Sequence, residues 1–400
     1  MLTDIAHADR YTSVGSVARF DPASLDPEGH GVRLGGFTLY PDLKLVSRFD
    51  DNVNSSQTNQ IDDRSIEVQG SAVLRSNWSQ HLLLIGVSGA RRQYAERDSL
   101  NRTNLAIDIR GGVDVTHATE LMGRVRFSIV QSEPGDTNEP FNAAEGTEVQ
   151  GLMGQLGFKQ DFSAFTVSLR GTIRERDFDD VRLNNNTIKD NDVRDRRDTL
   201  VFSRIAAPIS PAVSLFVQGE MNQRRYDQAP PIGEMVRDSD GYRVGAGVAL
   251  NLPGRVTGEG HIGYFEQDYD FLPDVDGLAF GGSLDWQATG LTKVDFYAER
   301  GVHETTGNTS SAFLRDAFGG RVQHELTRKF LLRGGIELIS NEYQPGTRDE
   351  AIIATSLGAA WMVSRQITIE LAHDWRSRET NIVDSDYDRN VVSLSLSGSF

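Results

Sequence analysis

The sequence predicts an all-β fold: a transmembrane, antiparallel, up-and-down β-barrel of about 18 strands, with 16 as the alternative count. Three observations predict it. In the last eleven residues, Asn390–Phe400, the side chains of Val392, Leu394, Leu396 and Phe400 share one parity, and Ser393, Ser395, Ser397 and Ser399 share the other. Strand side chains alternate faces, so this ending has an apolar side and a hydroxyl side. From Phe37 onward the chain repeats such alternation in segments of roughly 11–17 residues, and the connections between them mostly alternate short and long. Finally, hydrophobic residues make up 38% of the chain, and no run approaches the roughly 20 apolar residues of a membrane helix. Glycine, at 39 residues, is abundant, as a barrel with a polar interior requires.

Residues 1–36 stand apart. They carry Pro22, Pro27 and several glycines without sustained alternation. They are expected to form an irregular periplasmic segment packed at the barrel's lower mouth, or a disordered leader. Met1–Arg10 has no apolar stretch of the kind a secretory signal needs, so export implies a signal absent from this sequence. The barrel is expected to occupy 37–400.

The strands follow in order. The pattern places them at 37–50, 64–76, 81–96, 100–115, 120–133, 146–160, 163–178, 197–207, 212–227, 239–252, 256–270, 278–289, 292–306, 313–327, 330–343, 350–363, 366–381 and 389–400. The short connections, such as Thr116–Thr119, Pro208–Pro211, Pro253–Arg255 and Gly290-Leu291, have turn chemistry or hairpin length. The long ones, such as 51–63, 134–145, 179–196 and 228–238, are rich in Asp, Asn, Gly and Pro. Tight periplasmic turns and long outer loops give this asymmetry, and an even strand count puts both termini in the periplasm.

Proline checks the assignment, because it cannot donate to a ladder and a closed barrel has no free edge. Of the 12 prolines only Pro41 falls inside a proposed strand, which implies a bulge there or a first membrane strand starting nearer Asp42. Aromatics suggest two interfacial girdles: Phe165, Phe330, Trp361 and Phe400 near the lower strand ends, and Tyr226, Tyr242, Tyr269, Tyr343 and Trp375 toward the upper ones.

Composition excludes several classes. With no cysteine there is neither a disulfide framework nor a thiolate metal site. A net charge of −16 argues against a nucleic-acid binder. No HExxH motif and no nucleophile elbow occurs among the chain's eight histidines. His373 and Asp374 are strand neighbours that point apart. Glu259 and His261 share a face near a turn, and His303 could meet a carboxylate from another strand at the outer rim. None of these makes a catalytic set, so no enzyme, cofactor or metal is expected. The Asp-rich stretches Asp268–Asp276 and Asp384–Asp388 lack EF-hand spacing and read as solvated loops.

Two resemblances add to this. The alternating ending with its terminal Phe400 resembles the C-terminal insertion signal of Gram-negative outer-membrane proteins, which implies that Val392, Leu394, Leu396 and Phe400 are read by the barrel assembly machinery. The stretch Gly241–Leu250, Pro253–Gly260 and Gly263–Asp270, with Phe49–Val53 earlier, is similar to an outer-membrane beta-barrel porin family whose members often accompany exopolysaccharide or capsule genes. That resemblance implies a Gram-negative outer-membrane location, lipid and lipopolysaccharide as surroundings, and a porin-like channel for hydrophilic solutes or a part in polysaccharide export. The other class of function is a structural or adhesive barrel with a closed lumen and partner-binding loops.

Parity then assigns the lumen. A charge facing the hydrocarbon midplane costs roughly 2–4 kcal/mol, so charged parities point inward. The candidate pore-lining residues are Arg110, Arg124, Arg126, Arg170, Arg174, Arg176, Asp295, Glu299, Arg321, Arg333, Glu337, Glu370, Asp374 and Arg376. Glu175 falls on the outward parity, so it must lie above the membrane. Two arrangements stand open: a polar pore whose wall carries both signs, or a lumen in which these charges pair and fill the space. A basic row from Arg170 through Arg176 beside Arg124 and Arg126 would suit anionic sugars.

Overall fold

The computed structural model describes residues 31–140, 143–227, 236–305 and 310–400. Eighteen strands form its wall: β1 Phe37–Asp50, β2 Asp63–Ser76, β3 His81–Tyr94, β4 Arg102–Thr116, β5 Thr119–Gln131, β6 Glu148–Asp161, β7 Thr166–Phe178, β8 Arg196–Ser210, β9 Val213–Tyr226, β10 Ser239–Leu252, β11 Val256–Tyr269, β12 Val275–Thr289, β13 Thr292–Glu304, β14 Ala312–Thr327, β15 Phe330–Gln344, β16 Asp349–Met362, β17 Ile367–Thr380 and β18 Tyr387–Ser399. Each strand pairs antiparallel with the next, and β18 pairs with β1 from Asp42↔Ser399 to Asp50↔Val391. Closure leaves no edge whose backbone groups would be stranded in hydrocarbon. The 18-strand antiparallel barrel predicted from alternation is thus the architecture found.

Most strand ends fall within three residues of the expected positions. The lower connections shorten to as little as two residues, as at His117-Ala118 and Gly290-Leu291. In both, the flanking threonines bond to each other, Thr116 Oγ1 to Thr119 Oγ1 and Thr289 Oγ1 to Thr292 Oγ1, each at 2.9 Å. The ladder shifts register just before each of these turns.

The prolines refine the reading. Pro41 breaks no pairing: the β1–β2 register runs unshifted through Pro41↔Ala72. Its carbonyl accepts from the Phe400 N–H at 3.1 Å, so the missing donor faces β18 where that strand ends. Pro208, expected in a turn, lies inside β8, which extends to Ser210. It sits beside a register shift between Pro208 and Ser210, and a bulge tolerates a residue without an N–H. Of the N-terminal segment, residues 1–30 lie outside the described residues. Val32–Leu34 forms a short strand folded back on Phe37–Leu39.

The two faces separate as the hydropathy pattern requires. Leu43, Leu45, Ile66, Val68, Ile107, Ile109, Val125 and Leu357 are exposed on the outside, where lipid replaces water. In β18, Val392, Leu394 and Leu396 are 43%, 54% and 48% exposed, as is Phe400 just past its end at 48%, whereas Ser393 and Ser395 are 3% and 6% exposed. The interior at Ser395 is therefore packed rather than wet, with Glu370 across from it and the fully buried Val46 beside it.

The upper girdle is corrected in part. Tyr226, Tyr269 and Tyr343 point into the barrel, not toward lipid; Tyr226 and Tyr269 donate hydroxyl bonds to Glu304 at 2.7 and 3.3 Å. Tyr242 keeps an outward position, its hydroxyl on Glu266 at 2.7 Å. The aromatic count near strand ends could not separate these because both faces carry aromatics; the register does. Glu175 lies on the outside three residues below the end of β7, paired with Arg197 at 2.6 Å.

Candidate functional site

Registers across the wall put every predicted luminal charge on one face. One row runs Tyr297↔Gly319↔Glu337↔Ala354↔Arg376↔Arg389, strand to strand. Bonds between strands that are not neighbours confirm which face it is, because a chord between them must cross the interior. Arg204 of β8 reaches Glu259 of β11 at 2.8 Å, and Arg333 of β15 reaches Glu370 of β17 at 2.8 Å. Arg224 of β9 reaches Glu304 of β13.

The interior divides into two halves. Along β1–β5 and β14–β18 the charges pair densely. Arg124 holds Asp108 at 3.0 Å, Arg110 holds it at 3.2 Å, and Arg126 stands 3.7 Å away. Glu67 accepts from Arg48 Nη2 at 3.3 Å and from Arg92. Arg389 holds Asp50 through Nε at 2.9 Å. Glu337 accepts from the Tyr297 hydroxyl, and Asn341 and Arg378 converge on the buried Glu350. Asp374 and Arg376 lie on the same inner face of β17, opposite Val391 and Arg389. Buried ions of this kind hold together only when partnered, and here they fill space.

Along β6–β13 the interior opens. A cavity of about 560 Å³ is lined by Arg170, Phe202, Arg204, Glu220, Arg243, Glu259, His261, Glu299 and His303, among others. A second, of about 240 Å³, lies above it, with Arg174, Arg176, Arg196, Asp198 and Arg224 on its walls. The inner faces of β10–β12 make this room by lacking side chains. A Cβ at Gly247 would stand 2.4 Å from the Phe216 ring, and one at Gly281 would stand 2.6 Å from His261. The cavity's arginines lie on aromatic faces: Arg170 is 4.8 Å from the Phe202 centroid, and Arg204 is 4.1 Å from that of Phe216.

The predicted basic row is therefore split. Arg110, Arg124 and Arg126 are gathered on Asp108, Arg170 faces the larger cavity, and Arg174 and Arg176 face the smaller one. Of the remaining candidates, Glu299 lines the larger cavity. Asp295 pairs with Lys293 at 2.9 Å, and Arg321 sits directly across the ladder from Asp295. His303 does not meet a carboxylate at the rim. It is on the inner face of β13, stacked on Phe313 with centroids 5.5 Å apart. His373 bonds to Asn390 at 3.2 Å, and Glu259 is occupied by Arg204. Among the described residues the acidic side chains close enough to share an ion are Asp180, Asp190 and Asp192. They are exposed in the loop between β7 and β8, away from 268–276 and 384–388.

Sequence reasoning missed the loop between β5 and β6, residues 132–147, read only as one more outer loop. Its described part folds into the mouth and touches the far wall. Asn138 Nδ2 donates to the Glu304 carbonyl at 2.9 Å, and Arg315 donates to Thr137 Oγ1 at 3.2 Å. Arg378 and the Tyr387 hydroxyl donate to the Gly135 carbonyl at 3.0 and 3.3 Å. The root of the loop is Glu133, 8% exposed, which accepts from Arg102, from Arg389 at 3.1 Å and from Arg92 at 3.4 Å. Gly135 has φ +83°, and a Cβ there would stand 2.5 Å from that of Ser55, so the close crossing depends on glycine. A second loop braces the first: Ala144 N–H bonds to the Arg182 carbonyl at 2.9 Å, and Asn191 is fully buried beneath. Burial pushes the Glu139 carboxyl up, against the pull of the Arg194 guanidinium. The only signal was the Glu133-Pro134-Gly135-Asp136 turn; parity points the other way, because Glu133 falls on the outward parity of Val125 and turns inward only once the strand has ended.

A search of the curated proteins finds none that matches. Among solved structures, the chain is similar to the Acinetobacter baumannii siderophore receptor PiuA at 9% identity, covering 93% of this chain and 82% of that one, with a TM-score of 0.50. It is also similar to Pseudomonas aeruginosa OccK1 (OpdK) at 11% identity, covering 90% and 99%, with a TM-score of 0.47. At such identities the likeness speaks to the fold alone. A closed outer-membrane-type barrel, with a charged interior and short lower turns, coincides with a family match over almost its whole length: through residues 26–400 the chain belongs to the family described as "Putative beta-barrel porin 2".

Proposed function

We propose that the protein is a passive channel for small hydrophilic solutes in the outer membrane, with its entrance narrowed by the loop 132–147. The observation that carries this reading is the polar cavity of about 560 Å³ inside the β6–β13 wall, beneath a loop anchored to opposite sides of the mouth. An 18-stranded wall is wide enough for a water-filled interior unless side chains or loops fill it. Steady conductance of the purified protein in planar bilayers supports the channel, and silence refutes it. Removing residues 134–139 should raise the conductance.

The dense buried pairing along β1–β5 and β14–β18 favours a second reading, a structural barrel with a closed lumen and partner-binding loops. A part in polysaccharide export rests on the family resemblance, and glycosyltransferase genes beside the coding gene would support it. Residues 1–36 are assigned to the periplasmic side. Val392, Leu394, Leu396 and Phe400, outward on the last strand, are assigned to recognition by the assembly machinery. Lipid and lipopolysaccharide are the expected surroundings of the outward apolar band, and neither nucleic acid, cofactor nor catalysis enters the proposal.

A further inference from the structure

We infer that the β7–β10 side of the lumen binds an organic anion of the sugar-acid class, its carboxylate held by Arg174, Arg176 and Arg243. The registers bring these side chains to one inner surface: Arg174↔Asp198↔Arg224 and Arg170↔Phe202↔Glu220↔Arg243 are rows of the same face, with Thr172↔Leu200↔Asn222 between them. Arg243 lines both cavities, and Arg174 and Arg176 line the upper one.

The nearby carboxylates are committed elsewhere. Asp198 accepts from Arg196 at 3.2 Å, Glu259 from Arg204 at 2.8 Å, and Glu304 from Arg224, Tyr226 and Tyr269. Glu220 and Glu299 remain, and the second of these lies in the field of Arg315 as well as Arg243. Arg174, Arg176 and Arg243 make no hydrogen bond or ion pair to any described residue. A guanidinium withdrawn from bulk water needs an anion or water to replace its hydration. A protein that is strongly acidic overall, yet sets these three arginines against Glu220 and Glu299 across the two cavities that share Arg243, has local room for a negative solute.

The rest of the lining narrows the class. Guanidinium forks match a carboxylate in two-point geometry. Beside them Phe202 and Leu200 offer an apolar surface for one face of a ring, while Asn222 and Gln267 offer amides for hydroxyls. Glycines on the inner faces of β10–β12, among them Gly247 and Gly281, supply the width. A combined cavity of this size lies in the range that takes a small ligand.

Transport of such an anion rests on the channel reading above, but binding is measured without conduction. The experiment is titration calorimetry of the full chain in detergent with D-glucuronate, and with D-glucose as the neutral counterpart. Glucuronate should bind and glucose should not. Arg243→Gln, and separately Arg174→Gln with Arg176→Gln, should weaken glucuronate by about tenfold or more, the worth of a hydrogen bond to a charged group. Arg197→Gln, on the outer wall, should leave it unchanged. Heat-modifiable gel migration establishes that each variant is folded, and the single Arg243→Gln variant carries the test if the double one is not. Absence of glucuronate binding, or equal affinity in the Arg243→Gln and Arg197→Gln proteins, overturns the inference. Binding without conductance would instead refute the channel and leave the site; conductance without binding would do the reverse.

Discussion

Glu133 is the residue on which the position of the inward loop turns, and Glu133→Gln is the most informative perturbation. The substitution keeps the shape and removes the charge that Arg92, Arg102 and Arg389 share. Arg92 retains Glu67, and Arg389 retains Asp50 at 2.9 Å, so both stay neutralised. Arg102 has no other ion-pair partner among the described residues and is left as a buried cation. Breaking a buried pair by removing one partner costs about 3–5 kcal/mol. The ladder of 18 strands is unaffected, so the cost falls on local order: Arg102 turns to water and the loop root loosens. Hydrogen exchange should show faster exchange at the amides of Ser132 and Asp136, which bond to the Thr147 and Glu133 carbonyls at 3.0 Å each, with strand amides unchanged. A loosening of about 3 kcal/mol corresponds to more than a hundredfold in exchange rate. In bilayers the same variant should conduct more noisily or more strongly. Unchanged protection at Ser132 and Asp136 would refute the anchoring role and, with it, the view that this loop sets the entrance.

Three further outcomes follow from the same geometry. Leu394→Arg puts a charge on the lipid face and should cost about 2–4 kcal/mol near the midplane. Ser397→Arg, on the inner face nearer the lower mouth, should fold normally, and equal folded yields by heat-modifiable migration would remove the face assignment. Ser395→Arg, by contrast with Ser397→Arg, should be costly, because Val46 and Glu370 leave it no wet space. Gly135→Ala forces a left-handed residue against Ser55 and should destabilise the loop by about 1–2 kcal/mol, seen as local exchange or proteolytic nicking without loss of the barrel. Asp195, at the foot of the second loop, is pushed up to about 6 by burial and by Asp177, Asp192 and Asp227, against the bond it accepts from the Phe178 N–H. The folded form thus favours the protonated acid, and the loop is less stable once pH rises above that value. Protection in residues 179–195 should increase as pH falls from 7 to 5, and Asp195→Asn should flatten that dependence.

Much of this protein was legible in its sequence because strand alternation is a local property. Val392 and Ser393 declare opposite faces without reference to anything else, and in a closed barrel each strand's face assignment must agree with both neighbours. Strand number and the inward parity from Arg110 to Arg376 follow from that. Tertiary structure decided what alternation cannot encode. Parity tells that Arg124 and Arg174 both point inward, but only the registers put Asp108 beside the first and leave the second facing a cavity. Tyr226 and Tyr242 both lie near upper strand ends, and only the ladder turns one toward Glu304 and the other toward lipid. The loop 132–147 has no period at all; its course depends on Arg315, Arg378 and Glu304, which are 178, 243 and 166 positions away from the loop atoms they meet. Contacts at such separations exist only after the wall has closed, so it is closure, rather than any local pattern, that decides which part of the lumen is filled and which is open.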